Sequence, residues 1–119
     1  MNDTREFLLD LQAEITRIEQ FSAEGETAFF ADERTQYAIM MAYARIGEIA
    51  KRLPQAILDT RPEAEWRDIK GFRDVLLHRY DEINPRRVWQ AVQKVPVLRA
   101  AVEALLVSLP PNEDEASDS

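Results

Sequence analysis

The chain has 119 residues, with 15 lysines and arginines against 22 aspartates and glutamates, a formal net charge of −7 and 45% hydrophobic residues. That length and apolar fraction predict one domain with an ordinary packed core. No cysteine is present and only one histidine, His78, which excludes disulfides, thiol nucleophiles and cysteine-based metal centres; a histidine-rich metal site would need two subunits.

Gly25, Gly47 and Gly71 are the only glycines, and none stands in a phosphate-cradling loop motif. An isoelectric point near 4.7 opposes a broad electrostatic grip on nucleic acid, although it leaves room for a small basic cleft. No apolar run approaches the ~20 residues of a membrane span, and residues 1–6 lack the basic-then-apolar pattern of a secretory signal. A cytoplasmic protein with no membrane partner is the expectation.

Taken in order, the elements are helices. Phe7, Leu8, Leu11, Ile15, Ile18 and Phe21 recur at three- and four-residue steps and line one helical face. Gly25 and its polar neighbours predict a loop. Asp32 is a candidate N-cap for a second helix carrying Ile39, Ala42, Ile46, Ile49 and Leu53, closed by Pro54. Thr60 is a candidate cap for a third helix starting near Pro62, with Trp66, Ile69, Phe72 and Leu76 on its apolar face; Gly71 is expected to weaken or bend it. Asn84 and Pro85 open the last helix, whose buried stripe runs through Val88, Trp89, Val92, Val95, Val102, Leu105 and Leu109, with a kink at Pro96. The fold class is therefore all-α, an antiparallel up-and-down bundle of four to five helices over residues 1–109. Residues 110–119 are expected to be an acidic disordered tail carrying −4 of the net charge.

The chemistry concentrates in the stretch 71–80, GFRDVLLHRY. Arg73 offers a fixed cation with a fork of donors, His78 can move a proton near neutral pH, and Tyr80 carries a hydroxyl. On one straight helix, at about 100° per residue, Arg73 and Tyr80 share a face while His78 lies about 140° from Arg73. The three converge only if the helix ends near His78 or if two copies meet across a symmetric dimer.

Arg73, His78 and Tyr80 form an R-x4-H-x-Y pattern that resembles the motif of the HEPN superfamily, in particular HepT-like ribonuclease toxins of toxin–antitoxin pairs. YAI at 37–39 and IGEIAKRL at 46–53 are similar to the family's second-helix segment. WRDIKGFRD at 66–74 resembles its approach to the motif, and residues 83–89 resemble the family's segment beyond the motif, so residues 5–109 read in one register. The resemblance implies a HEPN-like helical homodimer in which two motif copies line one cleft and cut RNA with no metal and no cofactor. Arg73 and His78 then take the catalytic positions, Asp74 the supporting polar position, and Tyr80 the position to which a nucleotidyltransferase antitoxin of the MNT type transfers AMP. Asp74, aspartate where many relatives have asparagine, needs a compensating partner for its charge near a phosphate.

Two other function classes compete: a non-catalytic HEPN module that binds nucleotide or complexes a nucleotidyltransferase, and a plain helical homodimer whose motif residues only make salt bridges. Elsewhere, Arg86 and Arg87 are read as a solvated helix face, Arg45 and Glu48 as an i,i+3 pair, Trp66 and Trp89 as core or interface anchors, and Met40 and Met41 as packing.

Overall fold

The computed structural model describes residues 3–110, so the expected acidic tail lies, beyond Pro110, outside the described residues. Seven α-helices are seen among them: α1 (Asp3–Phe21), α2 (Glu26–Ala31), α3 (Glu33–Arg52), α4 (Gln55–Leu58), α5 (Trp66–His78), α6 (Pro85–Gln93) and α7 (Val95–Ser108). Single 3₁₀ turns at Pro62–Ala64 and Tyr80–Glu82 flank α5, and no strand occurs among the described residues. The long helices α1, α3, α5 and α7 form the expected all-α bundle. The short α2 follows directly on the loop read at Gly25, and α4 lies in a stretch to which the sequence reading assigns no element.

Helix α3 is central, packing on α1 along one side and on α5 along the other, while α7 closes against α1. Leu8, Leu11, Ile15 and Ile18 meet Ile39, Ala42, Ile46 and Ala50, and Leu98, Val102 and Leu105 complete one continuous core. Each of the leucines, isoleucines and valines among them contributes about 1.5–3 kcal/mol when fully buried. One carboxylate is buried with them: Glu14 accepts from Arg45 Nε at 2.7 Å and is also bound by Arg17. Arg45 thus ties α3 to α1, and its expected pairing with Glu48 does not form.

The predicted caps hold at two places. Asp32 accepts from the Arg34 amide at 2.9 Å, and Asn84 accepts from the Arg86 amide at 2.9 Å. The third expected cap fails. Thr60 turns back and donates to the Ile57 carbonyl at 2.7 Å, so the chain after Pro62 makes only a 3₁₀ turn. Glu65 then adopts a left-handed conformation (φ 57), and α5 starts at Trp66, whose indole N–H donates to the Arg61 carbonyl at 2.9 Å.

Gly71 does not break α5, which runs as one helix from Trp66 to His78. Pro96 does interrupt the last helix. Its absent N–H would have served the Val92 carbonyl, which instead accepts from the Lys94 amide, and the helix divides there into α6 and α7. Trp66 is a core anchor at 4% exposure, while Trp89 is half-buried beside Phe29, ring centroids 5.1 Å apart. Met40 packs on the core as expected, but Met41 is exposed. No described helix is long and apolar enough to cross a membrane.

Candidate active site

Helices α3 and α5 approach closely at Gly47. An added Cβ there would sit 2.3 Å from Arg73 Cβ and 3.3 Å from the Ile69 carbonyl oxygen. The missing side chain is what lets the base of Arg73 lie directly across α3. From that position the guanidinium donates through Nη2 to Glu48 Oε2 and through Nη1 to Asp74 Oδ1 at 3.0 Å. Its buried Nε–H has no partner among the described residues.

Asp74 has the compensating cation that its charge calls for. Lys51 Nζ, one turn beyond Gly47 on α3, donates to Asp74 Oδ1 at 2.7 Å. Those bonds, Lys51 first and Arg73 second, hold the Asp74 carboxyl below the usual carboxylate value of 3.8. A carboxylate lowered in the folded state stabilises the fold above the unfolded pKa and loses that contribution as pH falls through the folded value. Following the Asp74 side-chain carbon by NMR is expected to give a midpoint below 3.8, and Lys51→Met is expected to raise it; an unmoved midpoint would show that Lys51 is a bystander.

His78 is the last residue of α5 and is exposed, without a hydrogen bond or ion pair among the described residues. Arg79 caps the helix with φ −142, so the chain leaves the helical path before Tyr80, which opens the 3₁₀ turn and is 56% exposed. The helix ends where convergence requires it to end. Even so, no hydrogen bond or ion pair joins His78 or Tyr80 to Arg73 within the chain. Arg73 is held on the α3 side of α5, and His78 projects from its end.

The structure therefore adds three residues that the motif reading left without a role: Gly47, Glu48 and Lys51. Lys51 stands one helical turn beyond the other two, so all three share one side of α3. The detectable signal was a glycine on the buried face of a long helix, with opposite charges one turn apart directly after it. What the signal could not show is that this face meets Arg73.

Residues 11–105 match the family described as Ribonuclease HepT-like, a span that contains all of these positions. A protein of Thermococcus cleftensis named "Probable ribonuclease HepT" is 33% identical over 103 residues, covering 85% of this chain and 94% of that one. A "Putative RNase" of Methanocaldococcus jannaschii is 32% identical over 117 residues, covering 97% and 96%. Another from Caldanaerobacter subterraneus is 31% identical over 93 residues, covering 77% and 80%. No solved structure matches the chain. With the profile spanning the bundle from α1 to α7 and relatives aligned over nearly their whole length, the chain belongs to the HepT-like ribonuclease family.

Proposed function

We propose that the chain is a metal-independent endoribonuclease, the toxin component of a type II or type VII-like toxin–antitoxin system, acting in the cytoplasm as a homodimer. The observation that carries this reading is the separation of Arg73 from His78 on α5 in a chain of a ribonuclease family. One copy presents an anchored cation and an unanchored imidazole that do not meet. Two copies facing each other supply both to one cleft. Residues 1–109 are the helical domain in this reading, followed by the acidic tail.

Cleavage requires removing the proton of the ribose 2′-OH, stabilising the phosphorane, and protonating the departing 5′-oxygen. One His78 takes the 2′-OH proton as the oxygen attacks phosphorus. The other gives a proton to the 5′-oxygen as the P–O bond breaks, leaving a 2′,3′-cyclic phosphate and a 5′-hydroxyl. Arg73 binds the phosphate by charge-assisted hydrogen bonds. Its Nη1 can be released by Asp74 at small cost because Asp74 keeps Lys51. Transfer of AMP to the exposed Tyr80 hydroxyl by an MNT-type nucleotidyltransferase antitoxin places a nucleotide and a negative phosphate beside the cleft, excluding RNA by bulk and by charge.

The second reading, a non-catalytic module that complexes a nucleotidyltransferase, is favoured by one fact: both terminal nitrogens of Arg73 are already occupied by carboxylates. It predicts a stoichiometric complex and no RNA turnover. The deciding experiment incubates the protein with several RNA classes in excess EDTA, after intact mass has confirmed an unmodified Tyr80. Cleavage that persists in EDTA is the expected result. No cleavage from unmodified dimer would overturn the nuclease reading in favour of the binding module.

A further inference from the structure

Helices α5 and α6 run antiparallel but stay apart. Lys94, which caps α6, reaches Glu65, just before α5, at 3.2 Å, and Arg87 lies over Phe72 with 5.1 Å from guanidinium carbon to ring centroid. Between them is an open groove of about 770 Å³, within the roughly 300–1,000 Å³ typical of ligand sites. Gly71, Phe72 and Val75 form its α5 wall, and Arg87, Gln90 and Lys94 its α6 wall. Tyr43 underlies it, donating its hydroxyl to the Ala91 carbonyl and packing edge-on against Phe72. A Cβ built on Gly71 meets nothing within 4 Å, so this wall is open where a side chain would otherwise stand.

Two features select the occupant. The first is charge: residues 66–94 hold seven of the fifteen lysines and arginines but only four of the twenty-two acidic side chains. Among the cations of that segment, Arg67, Arg79, Arg86 and Arg87 have no ion-pair partner among the described residues. Arg67 and Arg87 line the groove itself. The second is direction. His78 comes seven residues after Gly71, which places it about 20° around α5 and about 10 Å along it. The groove therefore lies on the face of α5 that ends in His78, opposite the face that carries Arg73.

We infer that the α5–α6 groove is a subsite for single-stranded RNA, holding nucleotides adjacent to the scissile phosphodiester; this rests on the ribonuclease reading. The Arg87 guanidinium, seated over the Phe72 ring with its carbon 5.1 Å from the centroid, offers its outer face as a stacking platform for a base. Gln90 and Gln93 present amide groups able to meet base edges, and Arg67 faces the phosphates. Asp68 and Glu65 also line the groove, but Lys94 neutralises Glu65, so with Arg67 and Arg87 the lining keeps a positive balance that favours a polyanion with stacking bases.

The test measures binding of a fluorescent single-stranded oligoribonucleotide to protein carrying His78→Ala, so that turnover does not intervene. Gly71→Leu fills the groove at a position where any side chain improves the helix, and Arg87→Gln removes both charge and platform. Each is expected to weaken binding at least tenfold, whereas Arg67→Gln, which removes the cation facing the phosphates, is expected to lower the salt dependence by about 0.7 in log–log slope, as for one lost single-strand phosphate contact. Arg17→Gln on α1, which removes the same charge elsewhere, is expected to weaken binding less than twofold. Unchanged affinity in both groove variants overturns the subsite, as does a change in oligomeric state, which would make the groove a contact between copies. If the wild-type chain cuts RNA in either of those cases, the ribonuclease reading stands and the subsite alone has failed.

Discussion

Gly47→Ala is expected to lower both thermal stability and RNA cleavage, although alanine is the better helix former. The added methyl would lie 2.3 Å from Arg73 Cβ and 2.9 Å from its Cγ, atoms close to the α5 backbone that cannot swing aside as a side-chain tip can. Helix α5 must move away from α3 or Arg73 must leave its place. Overpacking of this kind costs about 1–3 kcal/mol, against which alanine returns about 1 kcal/mol of helix propensity. The net loss shifts Tm down by several degrees, at about 4–8 °C per kcal/mol for a small domain. Activity should fall further, by about 10²-fold, because a displacement of about 1 Å in a positioning group has that effect. Gly71→Ala is the matched control for stability. The same chemical change in α5 meets open space and is expected to raise Tm. Calorimetry on the pair reads the contrast directly, and equal Tm shifts of the same sign would refute the close approach at Gly47.

His78→Ala is expected to reduce cleavage by about 10²–10⁴-fold, the usual worth of a general acid or base, with Tm unchanged. The imidazole is exposed and makes no hydrogen bond or ion pair among the described residues, so its removal takes nothing from the fold. Arg73→Ala is expected to abolish cleavage as well, but through the phosphate contact and with loss of the ties to Glu48 and Asp74. Arg73→Lys keeps a charge and loses the fork, so it should recover little. The two inactive variants also test the composite cleft. A heterodimer of Arg73→Ala and His78→Ala subunits retains one wild-type Arg73 and one wild-type His78, on opposite chains. Because the mixed dimer keeps only one of the two histidines that divide the acid and base roles, partial recovery above both parents is expected if Arg73 and His78 work across the interface. A mixed dimer no more active than either parent, beside full activity in a dimer of one wild-type subunit and one subunit carrying both substitutions, would confine the site to a single chain and refute the shared cleft.

The helical stripes of α1, α3 and α5 were legible because each buries one side, so the three- and four-residue spacing of apolar residues records the burial directly. The Asp32 and Asn84 caps were legible because their partners are two residues away. Thr60 misled for a related reason. A threonine before a proline satisfies the local pattern, but its hydroxyl found the Ile57 carbonyl behind it, and nothing in the local string distinguishes the two choices. At the site, Arg73, His78 and Tyr80 stand out by chemistry and spacing within one short stretch. Glu48 and Lys51 lie more than twenty residues away, and their role exists only through the meeting of α3 with α5. The reading of Arg45 with Glu48 failed in the same way, because Glu14, on another helix, was the stronger competitor for Arg45.

The uneven placement of charge has a consequence at distances where no contact is made. A chain of net −7 is repelled as a whole by a polyanion, yet its α5–α6 segment carries a basic surplus while the remainder is acidic. Such a molecule is an electric dipole, and in the field of an approaching RNA strand it experiences torque before attraction. The basic α5–α6 segment is turned forward, so collisions that survive repulsion arrive already oriented. Salt narrows the range of this effect to about 8 Å near 0.15 M ionic strength, where the monopole is screened and only the nearest face is felt. Acidity of the whole thus acts as a filter on the angle of approach.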